Sequence, residues 1–272
     1  MAASFHTATA SRRGDRPSQQ DALCCLRSAD GRACLLVVAD GMGGLEDGEV
    51  AARAVIDAAG RLWATQHELP ADPQAFLATL AAAAHEAVRA AAPGAGATLA
   101  ALLAGRQRAW WIHIGDSRVY GFRDGLAVCR SEDHTVVQQL VRSGAIEPEQ
   151  AATHPEQHKL LRCLGGELPA QPTHGQMATG PGAAFVLCTD GFWAAVREAE
   201  MAALLAAGDL QQACETWVDS AVARNGAGGD NASLAALRLP AAAEGREVHR
   251  RLWPLYAAAT LTTAVLLWLA LR

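Results

Sequence analysis

The stretch Val37-Val38-Ala39-Asp40-Gly41-Met42-Gly43-Gly44 decides how this chain is read. The run from Cys34 to Ala39 is apolar throughout, the pattern of a buried strand. It ends in an aspartate, and glycines stand at 41, 43 and 44. Glycine opens backbone conformations closed to other residues and lets another group approach closely. A strand that brings a carboxylate and a bare carbonyl to one turn suits a hard cation, which takes oxygen ligands. It suits a strand-to-helix turn with Asp40 as a simple cap equally well. The choice rests on the other aspartates.

The pattern recurs along the chain. Ala109 to Ile114 runs into Gly115-Asp116-Ser117-Arg118, and Ala183 to Cys188 runs into Thr189-Asp190-Gly191-Phe192. The loop Asn225-Gly226-Ala227-Gly228-Gly229-Asp230-Asn231 leads into a last strand, Ala232 to Leu239. Asp40, Asp116, Asp190 and Asp230 thus each sit at a glycine-flanked strand end. If the strands share one sandwich, these tips converge. Carboxylates do not gather without positive charge to compensate them. No matching set of cysteine or histidine ligands lies nearby, and all-oxygen ligation selects Mg²⁺ or Mn²⁺ over zinc. Two such ions activate water and stabilise in-line displacement at phosphorus.

The chain has 272 residues, 51% of them hydrophobic, and a formal net charge of -5. That length suits one large domain or two small ones with ample core. The mild acidity, with no dense basic stripe, argues against nucleic acid as a partner. Seven cysteines occur without a Cys-x-x-Cys, which argues for a reducing compartment over a disulfide framework. None has arginine six positions on, which disfavours a cysteine-nucleophile phosphatase. Residues 1–20 lack the apolar centre of a signal peptide.

Between the aspartates, local patterns predict the remaining elements. Ser4 to Thr9 reads as an edge strand. Asp21 to Arg27 and Arg32 to Ala39 read as two strands around the turn Ser28-Ala29-Asp30-Gly31. Helices are predicted over Glu49 to Gln66 and Asp72 to Ala92, the second with Asp72 as cap and Pro73 in its first turn. Ala97 to Leu103, Ala109 to Ile114, Arg118 to Arg123 and Leu126 to Arg130 read as antiparallel strands. Asp133-His134-Thr135 opens a helix reaching Arg142. The segment from Glu147 to Gly166 reads as an insertion outside the sheets, placed to cover a site. Glu198 to Ala207 and Asp209 to Arg224 read as helices. Arg12, Arg13 and Arg16 lie in a polar loop. One of them is placed to grip an anion, since guanidinium matches phosphate oxygens in fork geometry.

Taken together, seven motifs in order resemble the metal-dependent serine/threonine protein phosphatases of type 2C, bacterial type. They are Arg16…Gln19-Gln20-Asp21, Val38 to Gly44, Gly115-Asp116-Ser117-Arg118, Asp133-His134-Thr135, His154-Pro155, Thr189-Asp190-Gly191 and Gly229-Asp230-Asn231-Ala232-Ser233. The match covers about residues 4–239. The resemblance implies an α+β fold, a central antiparallel β-sandwich with helices on both faces in four α-β-β-α layers. It implies two Mn²⁺ or Mg²⁺ ions bridged by Asp40, with the Gly41 carbonyl on one and Asp190 and Asp230 on the other. Asp116 matches a position that helps bind a third ion with Asp190. Asp21 matches an acidic position acting through water, and Arg16 matches the arginine that holds the substrate phosphate. The implied activity is hydrolysis of phosphoserine and phosphothreonine on proteins by a metal-activated water, opposing a bacterial serine/threonine kinase.

There are departures. Gln20 stands where the family often has glutamate, and Met42 where other members have a histidine considered a proton donor. Methionine donates no proton. These changes motivate a competing reading, a catalytically weak phosphoprotein-binding module. A phosphatase dedicated to anti-sigma-factor antagonists is a third. His134, His154 and His158 read as structural or surface residues.

Composition shifts after Pro240. The expected organisation is a catalytic domain at 1–240, a basic linker at 241–251 and a transmembrane helix at 252–271. Leu252 to Leu271 has no charged residue, and about 20 residues of helix span the roughly 30 Å hydrocarbon core. Arg246, Arg250 and Arg251 precede it, so the positive-inside rule expects a single-pass protein of the inner membrane with its catalytic domain in the cytoplasm.

Overall fold

The structure is a computed structural model and describes residues 5–151 and 153–239. The chain begins with strands β1 (His6–Arg12), β2 (Asp21–Arg27) and β3 (Cys34–Met42). Two helices follow, α1 (Leu45–Trp63) and α2 (Pro73–Ala91). Asp72 caps α2 by accepting from the N–H groups of Gln74 and Ala75. Next come β4 (Gly96–Ala97), β5 (Leu99–Ala104), β6 (Arg108–Ile114), β7 (Arg118–Arg123) and β8 (Leu126–Arg130). Short helices α3 (Val136–Arg142) and α4 (Pro148–Ala151) precede β9 (Thr173–Ala178) and β10 (Ala183–Cys188). The chain continues through α5 (Asp190–Trp193), α6 (Glu198–Ala206), α7 (Leu210–Asn225) and β11 (Ala232–Arg238).

The strands form two sheets. One runs β1-β11-β10-β7-β8, the other β2-β3-β5-β6-β9 with β4 added to β3. Every pairing is antiparallel. β3, β5 and β10 are apolar nearly end to end because both of their faces are covered. Three apolar layers result. Leu36, Val38, Leu102, Phe185 and Leu237 fill the space between the sheets. Leu35, Val37, Leu77, Leu80 and Leu103 join the second sheet to α1 and α2. Phe122, Val186, Phe192, Leu204 and Val218 join the first sheet to α5, α6 and α7. The molecule is therefore the four-layer α-β-β-α arrangement.

The expected fold class also contained a transmembrane helix, and this part is corrected. Among the described residues no helix is long and apolar enough to cross a membrane. The two longest, α1 and α2, each bury one face on the sheet and carry charges such as Glu46, Asp47, Arg61 and Arg89. The expected span at 252–271 lies outside the described residues. The described residues form the α+β sandwich.

Two local expectations also shift. The strand expected over Ala97 to Leu103 is divided at Thr98, whose hydroxyl accepts from the Asp40 N–H at 2.8 Å and whose own N–H donates to the Asp40 carbonyl at 2.8 Å. β9 carries no apolar alternation in the sequence, because it is a polar edge strand with a central Gly175, against which Trp111 packs. Phe185 is fully buried between the sheets. Phe185→Ala is expected to cost roughly 3–5 kcal/mol in urea unfolding; a loss below about 1 kcal/mol would place it outside the core.

Candidate active site

Antiparallel order places the carboxylates together. Where β3 ends, β2 begins, so Asp21 and Asp40 stand directly opposite in the ladder. Asp190 follows β10 as the first residue of α5, Asp116 lies in the β6–β7 turn, and Asp230 precedes β11. Asp21 and Asp116 are buried, while Asp40, Asp190 and Asp230 are half-buried. All five interact electrostatically through Asp40. Among the described residues, no three histidine, cysteine, aspartate or glutamate side chains close around a single point as a ligand set. The carboxylates stand near enough to act on one another's charge without closing on one point.

The charge is under strain. Burial raises Asp40 well above the usual carboxylate range, and the charges of Asp21, Asp190, Asp116 and Asp230 add to it. Burial pushes Asp21 up to about 7 against hydrogen bonds from Ser233 and Thr189. Burial and the Asp190 charge push Asp116 up to about 7. Burial and the Asp230 charge push Asp190 up to about 6, with Arg16 and His158 acting in the opposite sense.

Buried hydroxyls hold these aspartates in place. The Thr189 hydroxyl donates to Asp21 Oδ2 at 2.8 Å and accepts from the Ser233 N–H at 3.1 Å. Thr98 Oγ1 bonds the Asp40 N–H and lies 2.6 Å from Ser117 Oγ, next to Asp116. The Asp116 carbonyl accepts from Trp193 Nε1 at 2.9 Å. The Arg118 guanidinium lies 3.4 Å over the Trp193 ring and forms a two-point bond to Asp133 at 2.8 and 2.6 Å. Ser117, Arg118, Asp133, Thr189 and Ser233 stand inside the motifs read from sequence, without these contacts; Thr98 and Trp193 have no sequence reading of their own. The available signal was a polar residue inside an apolar strand run, as with Thr98 and Ser233.

Gly41 lies so close to α1 that a Cβ there would overlap the Gly48 carbonyl. This contact fixes the turn after Asp40, and the Gly41 N–H donates to the Gln20 carbonyl at 2.9 Å.

Arg16 comes from the loop between β1 and β2. Its Nη2 lies 2.7 Å from Asp230 Oδ2, with about half of each side chain exposed. Asn231, buried, ties the loop to the Asp230 turn: its Oδ1 accepts from the Gln20 N–H at 2.7 Å, and its Nδ2 donates to the carbonyls of Arg13 and Ser18 at 2.5 and 3.1 Å. Gly14 approaches with φ of 65°, and a Cβ there would overlap the Asp230 carbonyl.

The histidines divide. His134 stacks on His113 at 4.5 Å, its Nδ1 accepts from the Gly115 N–H, and its Nε2 lies 2.8 Å from Thr173 Oγ1. Burial lowers it to about 3, so it is neutral at pH 7 and supports the Asp116 turn. His154 Nδ1 accepts from the Glu156 N–H and shapes its own loop. His158 is exposed but near enough to Asp190 to favour its charged form.

Comparison with known proteins now bears on the site. The family model described as protein phosphatase 2C matches residues 9–235. The chain belongs to that family. The serine/threonine protein phosphatase PstP of Mycobacterium tuberculosis is 34% identical over 208 residues, 74% of this chain and 40% of PstP. The protein phosphatase PhpP of Streptococcus pneumoniae is 27% identical over 207 residues, 74% of this chain and 84% of PhpP. The crystal structure of the PstP catalytic domain in complex with two manganese ions superposes with a TM-score of 0.73 at 31% identity, covering 87% of this chain and 98% of that one. The chain thus spans about two-fifths of the length of PstP, and this 2C-family sandwich corresponds to nearly all of the PstP catalytic domain.

The raised carboxylates make a prediction for the metal-free protein. The ordinary aspartate value is 3.8, whereas Asp21, Asp116 and Asp190 titrate near 6 to 7 when folded. The folded state therefore holds protons that the unfolded chain releases, and the stability they contribute, complete below pH 4, is lost as pH rises through 6 to 7. EDTA-treated protein is expected to melt lower at pH 8 than at pH 5.5. Asp40→Asn is expected to raise that pH 8 melting temperature, and a lower one would refute the repulsion.

Proposed function

We propose that this chain hydrolyses phosphoserine and phosphothreonine on proteins in a metal-dependent reaction. The observation that carries the proposal is the group of Asp21, Asp40, Asp116, Asp190 and Asp230 facing Arg16 in a 2C-family chain. The donors fit Mn²⁺ or Mg²⁺: they are all oxygen, and their mutual repulsion calls for positive charge. In this reading Asp40, the Gly41 carbonyl, Asp190 and Asp230 hold two ions, Asp116 joins Asp190 at a third, and Asp21 acts through water. Bound there, the ions supply a water acidic enough to ionise near neutral pH and offset charge on the phosphoryl oxygens.

The chain's own residues supply the rest. Arg16 is paired with Asp230 only at the surface, where such pairs contribute about 0–1 kcal/mol. A phosphate dianion offers the guanidinium a stronger, two-point partner. Asn231 keeps the Arg16 loop seated on the Asp230 turn throughout. Thr189 holds the Asp21 carboxylate, and Thr98, braced by Ser117, holds the Asp40 backbone, so that little reorganisation is needed when charge develops on the substrate. Met42 donates no proton, and both ring nitrogens of His134 are engaged, so neither serves the leaving alkoxide. The substrates are phosphorylated proteins, the products of a serine/threonine kinase that this enzyme opposes.

Phosphate release from a phosphothreonine peptide by EDTA-stripped protein is expected only after Mn²⁺ or Mg²⁺ is restored. Arg16→Ala is expected to lower kcat/KM by about 10²–10³, and Asp40→Asn by at least about 10². If Asp40→Asn costs no more than the surface change Arg61→Gln, the metal mechanism fails and the phosphoprotein-binding reading, motivated by Gln20 and Met42, takes its place.

A further inference from the structure

Two cysteines on β2 and β3 play no part in the chemistry above. Cys25 Sγ lies 3.7 Å from Cys34 Sγ. In the ladder Cys25 faces Leu36 and Cys34 faces Arg27, so the two sulfurs meet diagonally on one face. That face is turned toward the other sheet: Cys34 belongs to the core between the sheets, and Cys25 packs against it. Cys34 is buried and Cys25 only half-buried. Beside Cys25, Arg27 Nη2 donates to the Thr7 hydroxyl at 2.7 Å, bridging the edge strands of the two sheets. A cavity of about 590 Å³ opens at Thr7 and Arg27.

We propose that Cys25 and Cys34 are a peroxide-reactive thiol pair, Cys25 attacking and Cys34 resolving, which closes to a disulfide between β2 and β3. The asymmetry has a physical source. The Cys34 thiol hydrogen bond, with help from Thr7 and Arg27, holds Cys25 down to about 6. Cys34 is pushed up by the same hydrogen bond and by its burial. Burial pushes the neighbouring Cys24 up to about 12, and raises Cys129, Cys163, Cys188 and Cys214 as well.

The chemistry balances with hydrogen peroxide as oxidant. The Cys25 thiolate attacks one peroxide oxygen; an S–O bond forms, the O–O bond breaks, and hydroxide leaves to become water. The sulfur, oxidised by two electrons, is a sulfenic acid. The Cys34 sulfur then attacks Cys25; an S–S bond forms, the S–O bond breaks, and the hydroxyl leaves as water with the Cys34 proton. Two thiols and one peroxide give one disulfide and two waters. The 3.7 Å gap must close to the bond length of about 2.05 Å, and because diagonal partners on a sheet lie roughly 7–8 Å apart, closure requires the edge strand β2 to shift as well as the side chains to rotate. The link ties together the two strands whose other ends carry Asp21 and Asp40.

The test uses the full chain, with hydrogen peroxide followed by N-ethylmaleimide, tryptic digestion and mass spectrometry. Cleavage after Arg13, Arg27, Arg32 and Arg53 puts Cys25 in peptide 14–27 and Cys34 in peptide 33–53. The expected product is these two peptides joined and lighter by two hydrogens, in the wild type and in Cys24→Ser, but not in Cys25→Ser or Cys34→Ser. Cys34→Ser is expected to give a dimedone adduct at Cys25 instead. In unoxidised wild type at pH 7, iodoacetamide is expected to label Cys25 about tenfold faster than any other cysteine. The proposal is overturned if another cysteine is oxidised first, if the link survives in Cys25→Ser, or if Cys25 stops at a sulfenic acid in the wild type. None of these readouts depends on phosphatase activity.

Discussion

Carboxylates crowded at one end of a β-sandwich repel one another, and the rest of the site is built around that repulsion. Two charges a few ångströms apart interact several-fold more strongly in a protein cleft than in bulk water. The strands oppose this by geometry: Asp21 and Asp40 belong to paired backbones and cannot separate without breaking a ladder. Each end is then anchored by an uncharged donor or acceptor, Thr98 at Asp40 and Thr189 at Asp21. Neutral hydroxyls fix position without cancelling the negative field, which leaves the cleft strongly attractive to cations.

Arg16 is brought to Asp230 from a loop, whereas the aspartates stand at strand and helix ends. Its position is set indirectly, by the Asn231 side chain reaching the Arg13 and Ser18 carbonyls and the Gln20 N–H. The two departures from the family pattern are absorbed locally. The Gln20 side chain donates to the Gly44 carbonyl at 3.2 Å, lending the post-Asp40 turn a neutral hydrogen bond. Met42 pairs with Gly96 across β3 and β4, where its γ-carbon lies against the glycine.

Much of this was legible in the sequence, because strand-end aspartates and period-two apolar runs are local signals. β2, β7, β8 and β10 begin and end where the pattern put them. α1 begins earlier than expected, at Leu45, and so takes in Gly48, whose carbonyl stands where a Cβ on Gly41 would lie. Thr98 was absorbed into one strand because nothing in its neighbours reveals that its hydroxyl faces Asp40, 58 residues away. Arg118, Trp193 and Asp133 were invisible as a unit for the same cause: their contacts cross from β7 to α5 and to the segment before α3. Convergence of the aspartates was legible only on the condition that the strands share a sandwich, and the layer order came from family resemblance.

Arg16 and Asp230 are separated by 214 residues, and β1 finds its partner only in β11. A growing chain on the ribosome therefore carries β2, β3 and the first two aspartates long before it can complete the pocket. Until β11 emerges, the first sheet lacks the strand that joins β1 to β10, and the Arg16 loop lacks the Asn231 turn on which it rests. Competence arrives in one late step, with closure of the most sequence-distant pairing in the molecule.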